Sequence, residues 1–348
     1  MSEDKKRSLL MVAALRGIWR DEPLPLEISD AEFREVIPLL LGSGFAALGW
    51  RRIRNTPLAT SPDAADLLDG YRLYSLHNAV IENQIAEVFA SFRAHSIEPI
   101  LIKGWAVARL YAEKGLRLYG DIDLVVRPSD YEAASGLLND RKYAVDLHSG
   151  LSKLDAHTMD ELYARSQIVK LKSEDVRVLG AEDHLRVLCE HFLRDGGWQA
   201  RALCDISLAV ENRPAGFDWD ICLGKDERRA EWVACAIGLA NRLLDAKIDD
   251  TPVASDRLPR WLVPAVLKQW RRPNVSDHYP QELMIKSLVN PLRAAKALLG
   301  RWPDPVRATV MMEGRFNNLP RLPFQAGLYM WRMADFLKRL PHSFERAR

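Results

Sequence analysis

The chain has 348 residues, 48% hydrophobic and 28% charged, with 49 Lys+Arg against 47 Asp+Glu and a net charge of +2. That balance excludes a disordered or low-complexity chain and supplies apolar residues for about two domains. Four cysteines (Cys189, Cys204, Cys222, Cys235) stand far apart without CxxC spacing, which excludes a zinc motif and reads as reduced, buried thiols of a cytoplasmic protein.

The opening stretch MSEDKKRSLLMVAALRGIWR is acidic early and its apolar run is cut by Arg16. It is too short and too charged for a signal peptide or membrane span, and nothing later reaches spanning length. Residues Ser8–Trp19 and Asp30–Trp50 carry apolar residues at helical spacing, with Ser29 or Asp30 as N-cap. Asn55–Pro62 is a turn-rich break, and Pro62–His95 reads as one or two long helices striped by Leu67, Tyr74, Ile81, Ile85, Val88, Phe89 and Phe92.

Pro99–Ile102 is a short strand, followed by a helix over Lys103–Lys114 that ends at Gly115. Asp121–Val126 is a second strand, closed by Pro128. Ser129, with Glu132 three residues on, caps a helix to Asn139, and Tyr143–Leu147 is a third strand. Gln167–Leu171 and Val176–Leu179 form a hairpin around Ser173-Glu174-Asp175. Beyond Ala181 only helices are expected: Ala181–Leu193, Ala200–Val210, Arg228–Ala246, Leu258–Trp270 and others. Seven of the ten tryptophans lie past residue 190, which suggests large core anchors there. The expected architecture is α+β, a small mixed sheet with helices on one side, divided as an N-terminal helical segment (1–65), a core (66–180) and a C-terminal helical domain (181–348).

Charge is uneven. Residues 251–348 carry 17 Lys+Arg against 7 Asp+Glu, leaving 32 against 40 in the first 250. The tail is a candidate surface for phosphate-rich or acidic partners, nucleic acid among them, set against the plainer reading of Arg-decorated helices. Arg257–Arg272 mixes basic and aromatic residues in the same way, against a helix packing its Trp and Leu face inward.

The chemistry concentrates in Leu101–Val126. Asp121 and Asp123 lie two apart in the apolar strand GDIDLVV, so on a strand both face the same way and repel. A divalent cation such as Mg²⁺ resolves that conflict, because it takes one or two carboxylates with phosphate oxygens and water. Lys103-Gly104 precedes the motif, the glycine permitting close backbone approach to a phosphate and the following helix start offering free N–H groups. Asp146, in YAVDLH, stands on a strand able to pair beside Asp121–Val126. Three carboxylates beside a phosphate-friendly turn describe a metal–triphosphate site. His184 and His191, seven apart on one helix face with Glu190 between them, lack a third ligand and read as structural. Asp205 reads as a brace from the helical region.

These residues resemble the polymerase-β-type nucleotidyltransferase superfamily, with its glycine turn, helix and Asp-hydrophobic-Asp strand. More narrowly they are similar to the bacterial family of uncharacterised nucleotidyltransferases, with Lys103, Gly104, Arg117, Gly120, Asp121, Asp123, Asp146 and His148 as the matching positions. The likeness covers roughly residues 70–210. It implies that Asp121 and Asp123 hold two Mg²⁺ (or Mn²⁺) ions with an NTP, ATP among the candidates. Asp146 then holds the ion that activates the acceptor hydroxyl, or serves as its general base. Arg117 neutralises phosphate as a fork-shaped donor, and His148 orients Asp146 or touches the acceptor. Trp105 stands where a second Gly or Ser is usual, which leaves Lys103 to supply that phosphate contact.

The implied reaction moves NMP from an NTP to an acceptor hydroxyl on a small molecule, peptide or RNA, releasing pyrophosphate. Rival readings are a nucleotide-binding regulatory protein without turnover, a toxin-like transferase acting on tRNA or protein, and a nucleotide-sugar glycosyltransferase. The last needs an αβ region before the motif, where Ser8–His95 reads helical.

Overall fold

A computed structural model of the chain describes residues 3–138, 143–151, 157–270 and 302–345. Its described helices and strands follow in chain order as α1 (Glu3–Leu15), α2 (Asp30–Gly42), α3 (Ala46–Ile53), α4 (Ala64–Ala94), β1 (Ile100–Leu101), α5 (Trp105–Ala108), β2 (Ile122–Val126), α6 (Tyr131–Leu138), β3 (Val145–Ser149), α7 (Met159–Arg165), β4 (Gln167–Leu171) and β5 (Glu174–Val178). Helices alone follow: α8 (Ala181–Arg194), α9 (Ala200–Glu211), α10 (Trp219–Leu223), α11 (Glu227–Leu244), α12 (Leu262–Gln269), α13 (Pro305–Met311) and α14 (Leu322–Glu345). The protein is α+β, with one five-stranded mixed sheet and a C-terminal helical region.

Strand order is β3-β2-β1-β5-β4. β2 runs parallel to β3 and β1 parallel to β5, while β1–β2 and β4–β5 are antiparallel. Alternation along the strands decides what covers each face. Leu101, Ile122, Leu124, Val126, Val176 and Val178 pack on the α4 stripe of Ile81, Ile85, Val88, Phe89 and Phe92. Ile100, Ile102 and Val125 point the other way, onto Leu162 of α7 and Val187 of α8. Helices therefore cover both faces, not one side as the sequence suggested. β2 is buried at all five positions, the pattern of a strand enclosed on both sides.

The N-terminal helices do not stand apart. Trp19, Phe33 and Phe45 share one apolar core with Phe192, Leu203 and Trp232 of the C-terminal helices. Of the late tryptophans, Trp232 and Trp270 are buried, whereas Trp198, Trp302 and Trp331 are exposed. The expectation that these residues anchor a core therefore holds only in part. All four cysteines are free and buried. Among the described residues, no helix is long and apolar enough to cross a membrane.

Several element boundaries differ from expectation, each for a local reason. The Asp30–Trp50 stretch breaks at Ser43–Phe45, where Gly44 takes φ +77°. Ser29 caps α2 in a reciprocal box with Glu32. Pro62–His95 is a single helix once past its first turn. The expected Lys103–Lys114 helix stops after Ala108, because tertiary partners pull the rest out of helical geometry: Tyr111 donates to Asp205, and Glu113 accepts from Arg54. Ser129 forms no capping box; Pro128–Asp130 is a 3₁₀ turn, Ser129 Oγ donates to Asp130, and α6 begins at Tyr131. The hairpin turn sits at Lys172-Ser173, with Lys172 at φ 56°, so β5 starts two residues early. α12 begins at Leu262, which puts Pro264 in its first turn, where a missing N–H costs nothing.

Candidate metal centre

The third strand runs Val145–Ser149, starting and ending two residues later than expected. It places Asp146 and His148 inside the strand on one face, and the parallel register sets Asp123 directly opposite Asp146 and Val125 opposite His148. Val125 packs toward α7 and α8, so Asp123, two residues before it, shares that face. Asp123, Asp146 and His148 each bring a ligand atom to within 4.8 Å of the others. The His148 Nε2 lies 3.3 Å from Asp146 Oδ2 and 3.9 Å from Asp123 Oδ1.

Burial divides the labour. Asp123 is 2% exposed, whereas the Asp146 side chain is 59% exposed and open to a ligand. Lys103, just past β1, sets its Nζ 2.6 Å from Asp123 Oδ1. Desolvation alone would raise the Asp123 pKa, but His148 and Lys103, with a smaller contribution from His191, outweigh it and hold the carboxyl below its ordinary value. Asp123 Oδ1 is therefore held by its ion pair with Lys103, while the buried His148 Nε2 faces both carboxylates. Two carboxylates and an imidazole converging beside open solvent form a set able to hold a divalent cation.

Gly104 lies at the edge of this centre with φ +62° and ψ −114°, a conformation that only glycine adopts freely. A Cβ there would come 3.2 Å from the Asp121 carbonyl oxygen, so the turn after β1 packs directly on the entry to β2. Asp121 itself is exposed, one residue outside β2, and lies outside the three-residue cluster; its charge acts on Arg117. Gly120 is exposed beside His77, whose ring Nε2 pairs with the Tyr119 carbonyl at 2.9 Å. Trp105 is buried in the core under the sheet, which accounts for a large residue at that position.

Arg117 turns away from any open cradle. Its Nε lies 2.8 and 2.9 Å from the Asp205 oxygens and its Nη2 2.7 Å from Oδ2, while Nη1 reaches the Gly104 carbonyl at 3.3 Å. Burial works against its charge, and the Asp205 carboxylate reverses that and raises its pKa. Sequence reasoning placed Asp205 only as a brace; here it is the anchor that ties the glycine turn to α9. The basic-aromatic stretch is likewise turned inward: Trp261 stacks on Phe316 and donates to the Asn317 carbonyl, and Trp270 donates to the Gly197 carbonyl. Its Arg271 and Arg272 lie outside the described residues, as does the basic stretch 271–301.

The two α8 histidines separate in role. His191 acts on Asp123 from across the site, and its place seven residues from His184 on a face that packs on the sheet was the available signal. His184 is buried with no hydrogen bond to Nε2. Burial, aided by Arg109, pushes its pKa from 6.5 down to about 4, with Asp205 opposing. A histidine that folds neutral stabilises the protein fully above 6.5, and that contribution is lost as pH falls toward 4. Melting temperature measured from pH 7 to pH 4 will therefore fall more steeply for wild type than for His184→Gln, the difference amounting to about 3 kcal/mol.

Comparison with known proteins gives the family. A family model described as uncharacterised nucleotidyltransferase matches residues 29–144 and 135–245, more than half of the chain and all of the site. No curated protein and no solved structure matches the chain.

Proposed function

The chain belongs to the uncharacterised nucleotidyltransferase family, and from that premise we propose that it transfers NMP from an NTP to an acceptor hydroxyl, releasing pyrophosphate, at a metal centre built on Asp123, Asp146 and His148. The convergence of these three ligand atoms, one of them on an exposed carboxylate, is the observation that carries the reading. Asp121, next to the glycine turn, is the further candidate ligand. A divalent ion bound here would neutralise triphosphate charge and lower the pKa of an acceptor hydroxyl.

The chain's own groups supply the rest. Asp146, open to solvent, is the carboxylate able to take a proton from the acceptor, and His148 at 3.3 Å orients it. Lys103 brings an ammonium to the phosphate side beside Gly104, whose lack of a side chain keeps the backbone accessible. Arg117 serves by fixing that turn through Asp205 and the Gly104 carbonyl, not as a direct phosphate ligand.

Purified protein incubated with α-labelled NTPs, Mg²⁺ or Mn²⁺ and a cell lysate is expected to label an acceptor and release pyrophosphate in equal amount. No labelling with any of the four NTPs and either metal would sink the proposal. One observation favours a second reading: Lys103 already pairs with Asp123, as a counter-ion would in a binding protein without turnover. Saturable NTP binding without pyrophosphate release would select it.

A further inference from the structure

Away from the metal centre, a cavity of about 260 Å³ opens between the α2–α3 break, the start of α9 and the end of α12. It is lined by Gly44, Tyr74, Leu118, Trp198, Arg201 and Trp270, among others. The wall thus mixes aromatic rings with the polar side chains of Ser43, Gln199 and Gln269 and one cation. Arg201 is half-buried in this wall and makes no hydrogen bond or ion pair with any described residue. Its nearest carboxylate, Asp205 one turn along α9, is already committed to Arg117 and Tyr111. Desolvation, with Arg117 adding to it, lowers the Arg201 pKa, and Asp205, Tyr111 and Tyr74 offset this only in part.

The position of the guanidinium is well defined. A Cβ on Gly44 would lie 2.8 Å from Arg201 Nη1, so the cation sits against the glycine at the helix break and any larger residue there would displace it. Arg201 is also the second residue of α9, a twelve-residue helix whose N-cap, Gln199, makes no side-chain cap. The Gln199 amide donates to Asp195 instead. The free N–H groups and positive dipole end of α9 therefore add to the Arg201 charge on the same side of the cavity.

We propose that this cavity is an anion-binding subsite, taking the carboxylate or phosphate of a small molecule on Arg201 and the α9 N-terminus and stacking its apolar or aromatic body on Trp198 and Trp270. A forked guanidinium suits either anion, and the volume limits the ligand to a compact acid. The site stands on its own geometry and holds whether or not nucleotide transfer occurs at Asp123. Leu118 belongs both to the cavity wall and to the segment between Arg117 and Asp121, so an occupant would touch the chain that enters the metal centre.

Metal-free protein is titrated with phenyl phosphate, phenylacetate, inorganic phosphate and benzyl alcohol, following tryptophan fluorescence and melting temperature. Phenyl phosphate or phenylacetate should quench saturably and raise the melting temperature, and benzyl alcohol should do neither. The stronger of the two names the anion, and inorganic phosphate acting as well as phenyl phosphate would assign the site to free phosphate. Arg201→Met should lose the response at least tenfold in affinity and, without ligand, melt close to wild type, because no hydrogen bond or ion pair to a described residue is lost. The response should persist in Asp123→Asn. The proposal is overturned by an absent response in wild type, by an unchanged response in R201M, by loss of the response in D123N, or by an R201M protein that melts well below wild type, which would mark the cation as structural.

Discussion

Asp123→Asn will reduce nucleotide transfer by on the order of 10³-fold and also lower the melting temperature, because it leaves the largely buried Lys103 ammonium without its carboxylate. The change is nearly isosteric and removes one negative charge from a side chain that is 2% exposed at the centre of β2. Three partners act on that charge, namely Lys103 at 2.6 Å, His148 at 3.9 Å and His191 through space. An amide cannot replace a carboxylate as a hard-cation ligand, so affinity for Mg²⁺ or Mn²⁺ falls together with turnover. The loss therefore belongs in kcat with metal saturating and not only in KM. Single-turnover assays across a metal titration will show this, with circular dichroism as the check on folding. Retention of more than a tenth of wild-type turnover would move the metal centre elsewhere.

How much of this was legible beforehand depends on sequence distance. Asp-Ile-Asp stood out because strand alternation is a local rule, and carboxylates amid Ile, Leu and Val have no structural reason to be there. Asp146 and His148 followed from the same rule, although the strand bearing them starts two residues later than its apolar pattern suggested. The hairpin was legible because it closes on itself. What failed were features decided by partners far along the chain. The helix expected after Gly104 gives way because Tyr111 and Glu113 find Asp205 and Arg54, and no local propensity encodes that. Arg117 pairs with Asp205, 88 residues on, a partner that no local rule announces. The apparent N-cap at Ser129 is overridden by the Pro128 turn before it.

The Arg117–Asp205 link is where the helical region bears on the site, and breaking it on one side will be expensive. Asp205→Asn is expected to cost about 3–5 kcal/mol, because it strands a buried guanidinium whose other interactions cannot repay its desolvation. The Asp205 side chain is 1% exposed and that of Arg117 11%, so water cannot replace the lost carboxylate. Tyr111, buried against the same oxygen, loses part of its acceptor as well. The functional consequence runs through the Gly104 carbonyl, which Arg117 holds at 3.3 Å. A loosened turn should raise KM for the NTP before it lowers kcat, in contrast to Asp123→Asn. Replacing both partners by apolar residues, Arg117→Met with Asp205→Leu, should recover much of the stability, since the uncompensated charge is then gone. It should not recover KM, because nothing in the double variant donates to Gly104. Urea denaturation gives the first comparison and steady-state kinetics the second. A D205N protein within about 1 kcal/mol of wild type would show that the pair does not join the two parts of the molecule.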